Sequence, residues 1–306
     1  MLARGRTRRG AIVTAGREWG DRAICLEAFT RIGREFGIIG CVVWQGWRVD
    51  CKEGGMTEQL TGKVALVTGA GSGMGAAAAL ALAAAGARIV VTDLDEAAVA
   101  RTVRAIETTG GEALAIVGDV VSTADVRGMV ETTVARFGTI DILACIAGVL
   151  RTSAIEQIAE AEWDLVLDVN LKGVFLCAQA VVPLMKERRM GKIVIMASLA
   201  GRATSTLGGA HYTASKAGVL GLSRHLAREL APFGINVNAI NPGIIDTPMV
   251  QANTPPERME RVLASIPFGR LGTPEEVAAL IVFLASDSAA YITGAAVDIH
   301  GGELII

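Results

Sequence analysis

The stretch Val64-Ala65-Leu66-Val67-Thr68-Gly69-Ala70-Gly71-Ser72-Gly73-Met74-Gly75 decides the fold of this chain. Val64 to Val67 is a short apolar run of strand-forming residues, and an alanine-rich helical segment follows the glycines as far as Ala85. A strand that turns through glycines into a helix opens a βαβ unit. Glycine permits the tight turn and lets the backbone approach a pyrophosphate, while the helix start offers unpaired N–H groups and the positive end of its dipole. Gly69, Ser72, Gly73, Met74 and Gly75 are therefore candidate phosphate-loop residues. A glycine cluster alone is a weak signal, because any tight turn can use one.

Working outward, strands and helices alternate. Arg88 to Thr92 reads as a strand ending at Asp93, Asp95 to Thr108 as a helix, and Ala113 to Val117 as a strand ahead of Asp119. A helix from Thr123 to Phe137 leads to a strand, Ile140 to Cys145, that ends at Ala147-Gly148. One long helix covers Trp163 to Arg188, and the strand Lys192 to Ala197 closes at Ser198. A helix beginning at Thr213 leads to a strand from Ile235 to Ile240, then Asn241-Pro242-Gly243. The last helix is Pro274 to Ala285 and the last strand Ala296 to Ile299. This alternation predicts an α/β fold, a single doubly wound domain with a parallel sheet of about seven strands and helices on both faces. The segments 201–211 and 245–268 read as loops walling a substrate site, the second as a mobile lid.

The chain has 306 residues, half of them apolar, and a net charge of −2, which gives no case for a nucleic-acid or anionic-membrane partner. Arginine outnumbers lysine 23 to 6, a compositional bias rather than a phosphate-reading patch. Five cysteines (Cys25, Cys41, Cys51, Cys145 and Cys177) lack metal-ligand spacing, and their odd number argues against a disulfide framework. A reduced cytoplasm is the default compartment and no metal is expected. No uninterrupted apolar run reaches the ~20 residues that span a bilayer.

Residues 1–55 stand apart. They carry 10 Lys and Arg against 6 Asp and Glu, a balance of +4 that leaves −6 for the other 251 residues. Five arginines precede the first acid, as in a transit peptide, but the segment contains no serine. The favoured alternative is a functional start at Met56, with 1–55 an N-terminal extension outside the functional protein and 56–306 the cofactor-binding, catalytic domain.

Two further features carry chemistry. Asp93 lies 24 residues after Gly69, at the end of the second strand, near the spacing of ~20 for a ribose-binding acid. A carboxylate there accepts from both ribose hydroxyls and repels a 2′-phosphate, so NAD is favoured over NADP. The competing role for Asp93 is a helix N-cap, for which Asp95 is the rival. Tyr212 and Lys216 stand four apart in a helix and share one face. A nearby ammonium favours phenolate and draws the phenol pKa down from about 10 toward neutrality. Ser198, at a strand end, can offer a hydroxyl to the same substrate oxygen. Taken alone, Tyr212 could equally be a core aromatic and Lys216 a solvated helix residue.

Together these motifs resemble the short-chain dehydrogenase/reductase family, in its smaller, single-domain, Rossmann-type branch. The matching pieces are Thr68-Gly69-x-x-x-Gly73-x-Gly75, Asp119-Val120, Asn170 within Val169-Asn170-Leu171-Lys172-Gly173, Ser198, Tyr212-x-x-x-Lys216, Asn241-Pro242-Gly243, Thr247 and Tyr291-Ile292-Thr293-Gly294. The resemblance implies Tyr212 as acid/base on the substrate oxygen, and Lys216 as the group that lowers its pKa and holds the nicotinamide ribose. It implies that Ser198 positions the substrate oxygen and that Asn170 keeps a relay water near Lys216. It further implies adenine contacts from Asp119 and Val120, ribose passage at Ala147 and Gly148, and a carboxamide held by Ile245 and Thr247. One departure is Cys145-Ile146-Ala147-Gly148, where the family usually has Asn-Asn-Ala-Gly. Cys145 reads as a small core residue, because no basic partner is evident.

The leading expectation is an NAD-dependent oxidoreductase acting on a secondary alcohol or its ketone. Alternatives are an NADPH-dependent 3-oxoacyl-thioester reductase and a cofactor-binding relative without turnover. The resemblance also implies a dimer or tetramer built through the helices 163–188 and 213–230. Val174, Phe175, Ala178, Val181 and Val182 supply apolar surface compatible with that.

Overall fold

The computed structural model describes residues 59–305. The segment 1–55 and the boundary at Met56 lie outside them. From the amino end, β1 (Val64–Thr68), α1 (Gly73–Ala84), β2 (Arg88–Asp93), α2 (Glu96–Thr108), β3 (Ala113–Val117), α3 (Thr123–Phe137) and β4 (Ile142–Cys145) follow one another. Then come α4 (Glu160–Leu167), α5 (Gly173–Arg188), β5 (Gly191–Met196), α6 (Ala210–Leu230) and β6 (Ile235–Pro242). The last elements are α7 (Pro248–Asn253), α8 (Pro256–Ser265), α9 (Pro274–Ala285) and β7 (Ala296–Ile299).

All seven strands are parallel, in the order β3-β2-β1-β4-β5-β6-β7. The α/β, doubly wound expectation is met. The order reverses between β1 and β4, the point at which the strand carboxyl ends of such a sheet leave a crevice. Strand periodicity divides the core. Ala65 and Val67 of β1 join one apolar cluster with Leu82 of α1 and Ile281 and Leu284 of α9. Val64 and Leu66 point the other way, into a cluster with Phe137, Val181, Met185 and Leu230. Every residue of β1 is buried, as a strand covered on both faces requires.

Three sequence expectations change. The long helix from Trp163 begins at Glu160 and passes through a π-helical turn, Asp168–Lys172, that separates α4 from α5. The expected loop 245–268 contains α7 and α8, each with proline in its first turn, where the missing N–H costs nothing. Finally, Val174, Ala178 and Val181 are buried in this chain's own core rather than spare for an interface, Val182 is partly buried against it, and Phe175 remains exposed. By length and composition the continuous helical stretch Glu160–Arg188 could cross a bilayer, yet one face of it is packed on the sheet.

One buried carboxylate fastens the amino edge of the sheet. Asp141 Oδ2 accepts from Val64 N at 2.9 Å, and Oδ1 accepts from Arg188 Nη1 at 2.7 Å. Its own N–H donates to Val64 O and its carbonyl accepts from Lys192 N, both at 2.9 Å. The residue therefore joins β1, the start of β5 and the end of α5. Replacing it with alanine orphans a buried N–H and unpairs Arg188, whose side chain is 36% exposed and rehydrates in part. Asp141→Ala is expected to cost about 2 kcal/mol in urea denaturation, and a loss below ~0.5 kcal/mol would show that the edge holds without it.

Candidate functional site

At the carboxyl edge of the sheet the chain leaves β1 through Gly69, with φ of +67°. A Cβ built on Gly75 would lie 1.9 Å from the Gly69 carbonyl oxygen, and one on Gly69 would lie 2.6 Å from Ala147 Cα. Only glycine admits such contacts, so the turn, α1 and the segment after β4 close on one another. Ser72 occupies the N-cap of α1 without a side-chain cap bond, and the first turn holds no acidic residue. The leading amides of α1 are thus free of internal side-chain partners.

The cleft over this turn has about 1450 Å³ of open space. Gly69, Ser72, Gly73, Met74, Gly75, Asp93, Asp119, Val120, Ala147, Gly148 and Thr247 all line it. Asp93 accepts from Gly71 N at 3.0 Å and from Leu94 N at 2.8 Å. Asp95, not Asp93, caps α2, accepting from Ala98 N at 3.0 Å. That settles the competition for the cap and leaves Asp93 facing the cleft. Asp119 accepts from Val121 N at 3.0 Å, which holds the turn after β3. A dinucleotide suits this donor set: a cradle with no room for side chains, an uncapped helix start, and a carboxylate one strand away.

Where the family pattern has amides, Cys145 is buried beside Cys177, and its hydrogen bond with that thiol, together with burial, pushes its pKa well up. It is an inert core residue, as expected. Thr68 does the fastening instead: its hydroxyl accepts from Ile146 N at 3.2 Å and from Ala147 N at 3.3 Å.

A second cleft, with about 830 Å³ of open space, adjoins the first; Met74, Ile146, Gly148, Val149, Thr247 and Met249 line both. Ser198, Tyr212 and Lys216 line the second, as does Ile245, which is itself buried. Ser198 stands just past β5, and its hydroxyl accepts from Ala200 N at 3.1 Å. Tyr212 and Lys216 project from one face of α6, with Lys216 Nζ 5.8 Å from the phenol ring centre. Lys216 is buried and donates to Met196 O at 2.8 Å.

Asn170 lies in the π-helical turn and is fully buried. Its Oδ1 accepts from Val149 N at 2.8 Å, and its Nδ2 donates to Val149 O at 3.0 Å and Ser215 Oγ at 3.1 Å. The side chain thereby ties α6 to the wall shared by the two clefts. No part of this bonding was readable from the motif.

The expected downward pull of Lys216 on Tyr212 is not the dominant effect. Burial pushes the phenol above its ordinary value, and the Ser198 hydroxyl opposes that rise. Burial also pushes Lys216 down, to about 8. Both follow from the cost of charge in a low-dielectric site.

Other wall residues escaped sequence reading or were placed only within a segment. Arg151 lines the first cleft, and Leu150, Thr204 to Leu207 and Glu303 line the second. Arg202, expected in the wall, instead pairs with Asp298. Met259 and Val262 of α8 pack with Leu150, Leu207 and Ile266, while Arg258 donates to Thr206 O at 2.6 Å. Helix α8 is thus fastened to the wall segment 204–207, and α7 joins the same cluster through Val250.

A family model described as enoyl-(acyl carrier protein) reductase matches residues 69–303. A 3-oxoacyl-[acyl-carrier-protein] reductase of Thermotoga maritima is 42% identical over 247 residues, 81% of this chain and 100% of that one. The (2S)-[(R)-hydroxy(phenyl)methyl]succinyl-CoA dehydrogenase subunit BbsD of Thauera aromatica is also 42% identical, over 80% of this chain and 97% of its own length. Among solved structures, a short-chain type dehydrogenase/reductase from Mycobacterium marinum superposes with a TM-score of 0.77 at 37% identity, over 82% of this chain and 98% of that one.

The depressed Lys216 fixes a pH dependence for the protein without coenzyme. Below pH ~8 both folded and unfolded chains hold the proton, and charge burial is a constant penalty. Between about 8 and the unfolded value of 10.5, only the unfolded chain keeps the proton, so stability rises with pH. Relative to Lys216→Met, the wild type should gain about 2 kcal/mol between pH 8 and 10 in urea unfolding. A difference that does not change with pH would mean that Lys216 titrates near its ordinary value.

Proposed function

The chain belongs to the short-chain dehydrogenase/reductase family, and from that premise we propose that it moves hydride between NAD(H) and a secondary alcohol or ketone, with Tyr212 as acid/base. It is an oxidoreductase acting on a keto or hydroxyl group, as the ordered motifs led one to expect. Support for the finer reading comes from the second cleft, which Ser198, Tyr212 and Lys216 line and which shares Met74, Gly148 and Thr247 with the cleft over the glycine turn. Hydride leaves or joins carbon only as the attached oxygen loses or gains a proton.

The coenzyme, when bound, supplies or accepts the hydride. Gly69, Ser72, Gly73, Met74 and Gly75 would receive its pyrophosphate and Asp93 its adenosine ribose. Asp119, Val120, Ala147 and Gly148 would flank the adenosine half, and Ile245 and Thr247 the nicotinamide end. Ser198 would hold the substrate oxygen against the Tyr212 hydroxyl, which exchanges the proton. Lys216 would place its cation beside the phenol and the ribose, and Asn170 would act by positioning, through Val149 and Ser215, and through a relay water. Residues 56–306 would carry all of this, in a reducing cytoplasm and as a dimer or tetramer.

A second substrate reading is favoured by the relatives' names, which specify acyl groups carried on acyl carrier protein or coenzyme A. On that reading the ketone is a 3-oxoacyl thioester. Acetoacetyl-CoA as substrate separates the two: reduction at least as fast as that of simple ketones would place the chain with the thioester enzymes.

Two variants test the site. Tyr212→Phe should lower kcat by at least a thousandfold while NADH still binds; retained turnover would remove Tyr212 from the chemistry and a loss of both would point to misfolding. For the coenzyme, fluorescence titration should give NADH binding at least tenfold tighter than NADPH, and Asp93→Ala should narrow that ratio. A wild-type preference for NADPH would overturn the role given to Asp93.

A further inference from the structure

The chain ends in a feature that the reaction does not need. After β7 the backbone turns through Gly301 and Gly302, with φ of +62° and +87°, and Glu303 N donates back to His300 O at 3.2 Å. The turn folds Glu303 over Gly243, where a Cβ would lie 3.0 Å from Glu303 Oε2. The carboxylate lines the same cleft as Tyr212 and Lys216. Its Oε1 accepts from Thr206 Oγ1 at 3.1 Å on the opposite wall. Its Oε2 is buried and meets no hydrogen-bond donor among the described residues.

A buried carboxylate oxygen without a donor is costly, and the cost is removed by whatever brings one. Apart from the catalytic groups, Thr247 and the hydroxyls of residues 204–206, the cleft is mostly apolar, and neither those hydroxyls nor the two buried, unpartnered ring nitrogens of neighbouring His300 bond to Oε2. A donor carried by the substrate would satisfy it.

Resting on the oxidoreductase reading above, we infer that Glu303 is a specificity-determining residue that selects substrates bearing a second hydroxyl or a protonated amine away from the reacting carbon. Thr206 holds one carboxylate oxygen in place and leaves the other to receive that donor. An anionic group at the same end is repelled, and a purely alkyl one leaves Oε2 unpaired. Discrimination by a hydrogen bond to a charged group is worth about ten- to a hundredfold.

The test compares 2-alkanols with the matching alkanediols and amino alcohols as substrates for the full-length enzyme. Wild type should favour the diol and amino alcohol by at least tenfold in kcat/KM. Glu303→Leu should abolish or reverse that preference while keeping turnover of the simple alcohol. Glu303→Gln, which can still accept from a hydroxyl, should restore discrimination for the diol but not for the amine. Equal losses on all substrates in Glu303→Leu would reduce Glu303 to a brace for the Thr206 wall and overturn the inference. Turnover with an unchanged preference would overturn it while leaving the oxidoreductase reading intact. Absence of turnover of every alcohol and ketone, with either coenzyme, would overturn both.

Discussion

The contact between Gly75 and the Gly69 carbonyl is the constraint on which the site depends. No side chain fits there, so α1 can start immediately beyond β1 and lie close against the sheet. The close seating aims the first turn of α1 at the crevice beside β4 and brings Ala147 against Gly69. From this one approach follow the shape of the cleft over the glycine turn and the position of Met74, which also walls the neighbouring cleft. The parallel sheet supplies the rest, because every strand delivers its carboxyl end to the same side.

Burial sets the electrostatics of the cleft lined by Tyr212 and Lys216. In a solvated pair the lysine would keep its ordinary pKa and its charge would pull the phenol down. Here both lose solvent, so each resists its charged form: the phenol rises and the ammonium falls. Lys216 finds compensation in the Met196 carbonyl at the end of β5. The ammonium is thus held by the sheet, while its ring neighbour is held by the helix.

Much of this was legible in the sequence, for definable reasons. β3, α3, α9 and β7 have the bounds their patterns predict, since strong periodicity and good caps mark their ends. The glycine turn, Asp93 and the Tyr212–Lys216 pair were singled out by residue type and spacing, and they line the two clefts. The π-helical turn at Asn170 left no trace, because one extra residue per turn does not disturb an apolar pattern. α7 and α8 were hidden by their shortness and by prolines that elsewhere mean loop. Glu303 could not be placed, for its position depends on two glycines with positive φ and a wall brought from a hundred residues away in sequence.

The shared wall has a consequence for how such an enzyme can change. Met74, Ile146, Gly148, Val149, Thr247 and Met249 face both clefts, so on the proposed assignment of coenzyme to one and substrate to the other a substitution at any of them would alter two binding equilibria at once. Linkage makes that coupling reciprocal: a residue through which coenzyme tightens substrate must let substrate tighten coenzyme by the same factor. Thr204, Leu207 and Glu303 face only the second cleft. On the same assignment, new substrates would be acquired through the short segment before α6 and the residues after β7, without altering the walls of the first cleft. The molecule is in this sense divided into a conservative half, where drift is penalised twice, and a free margin, where it is penalised once.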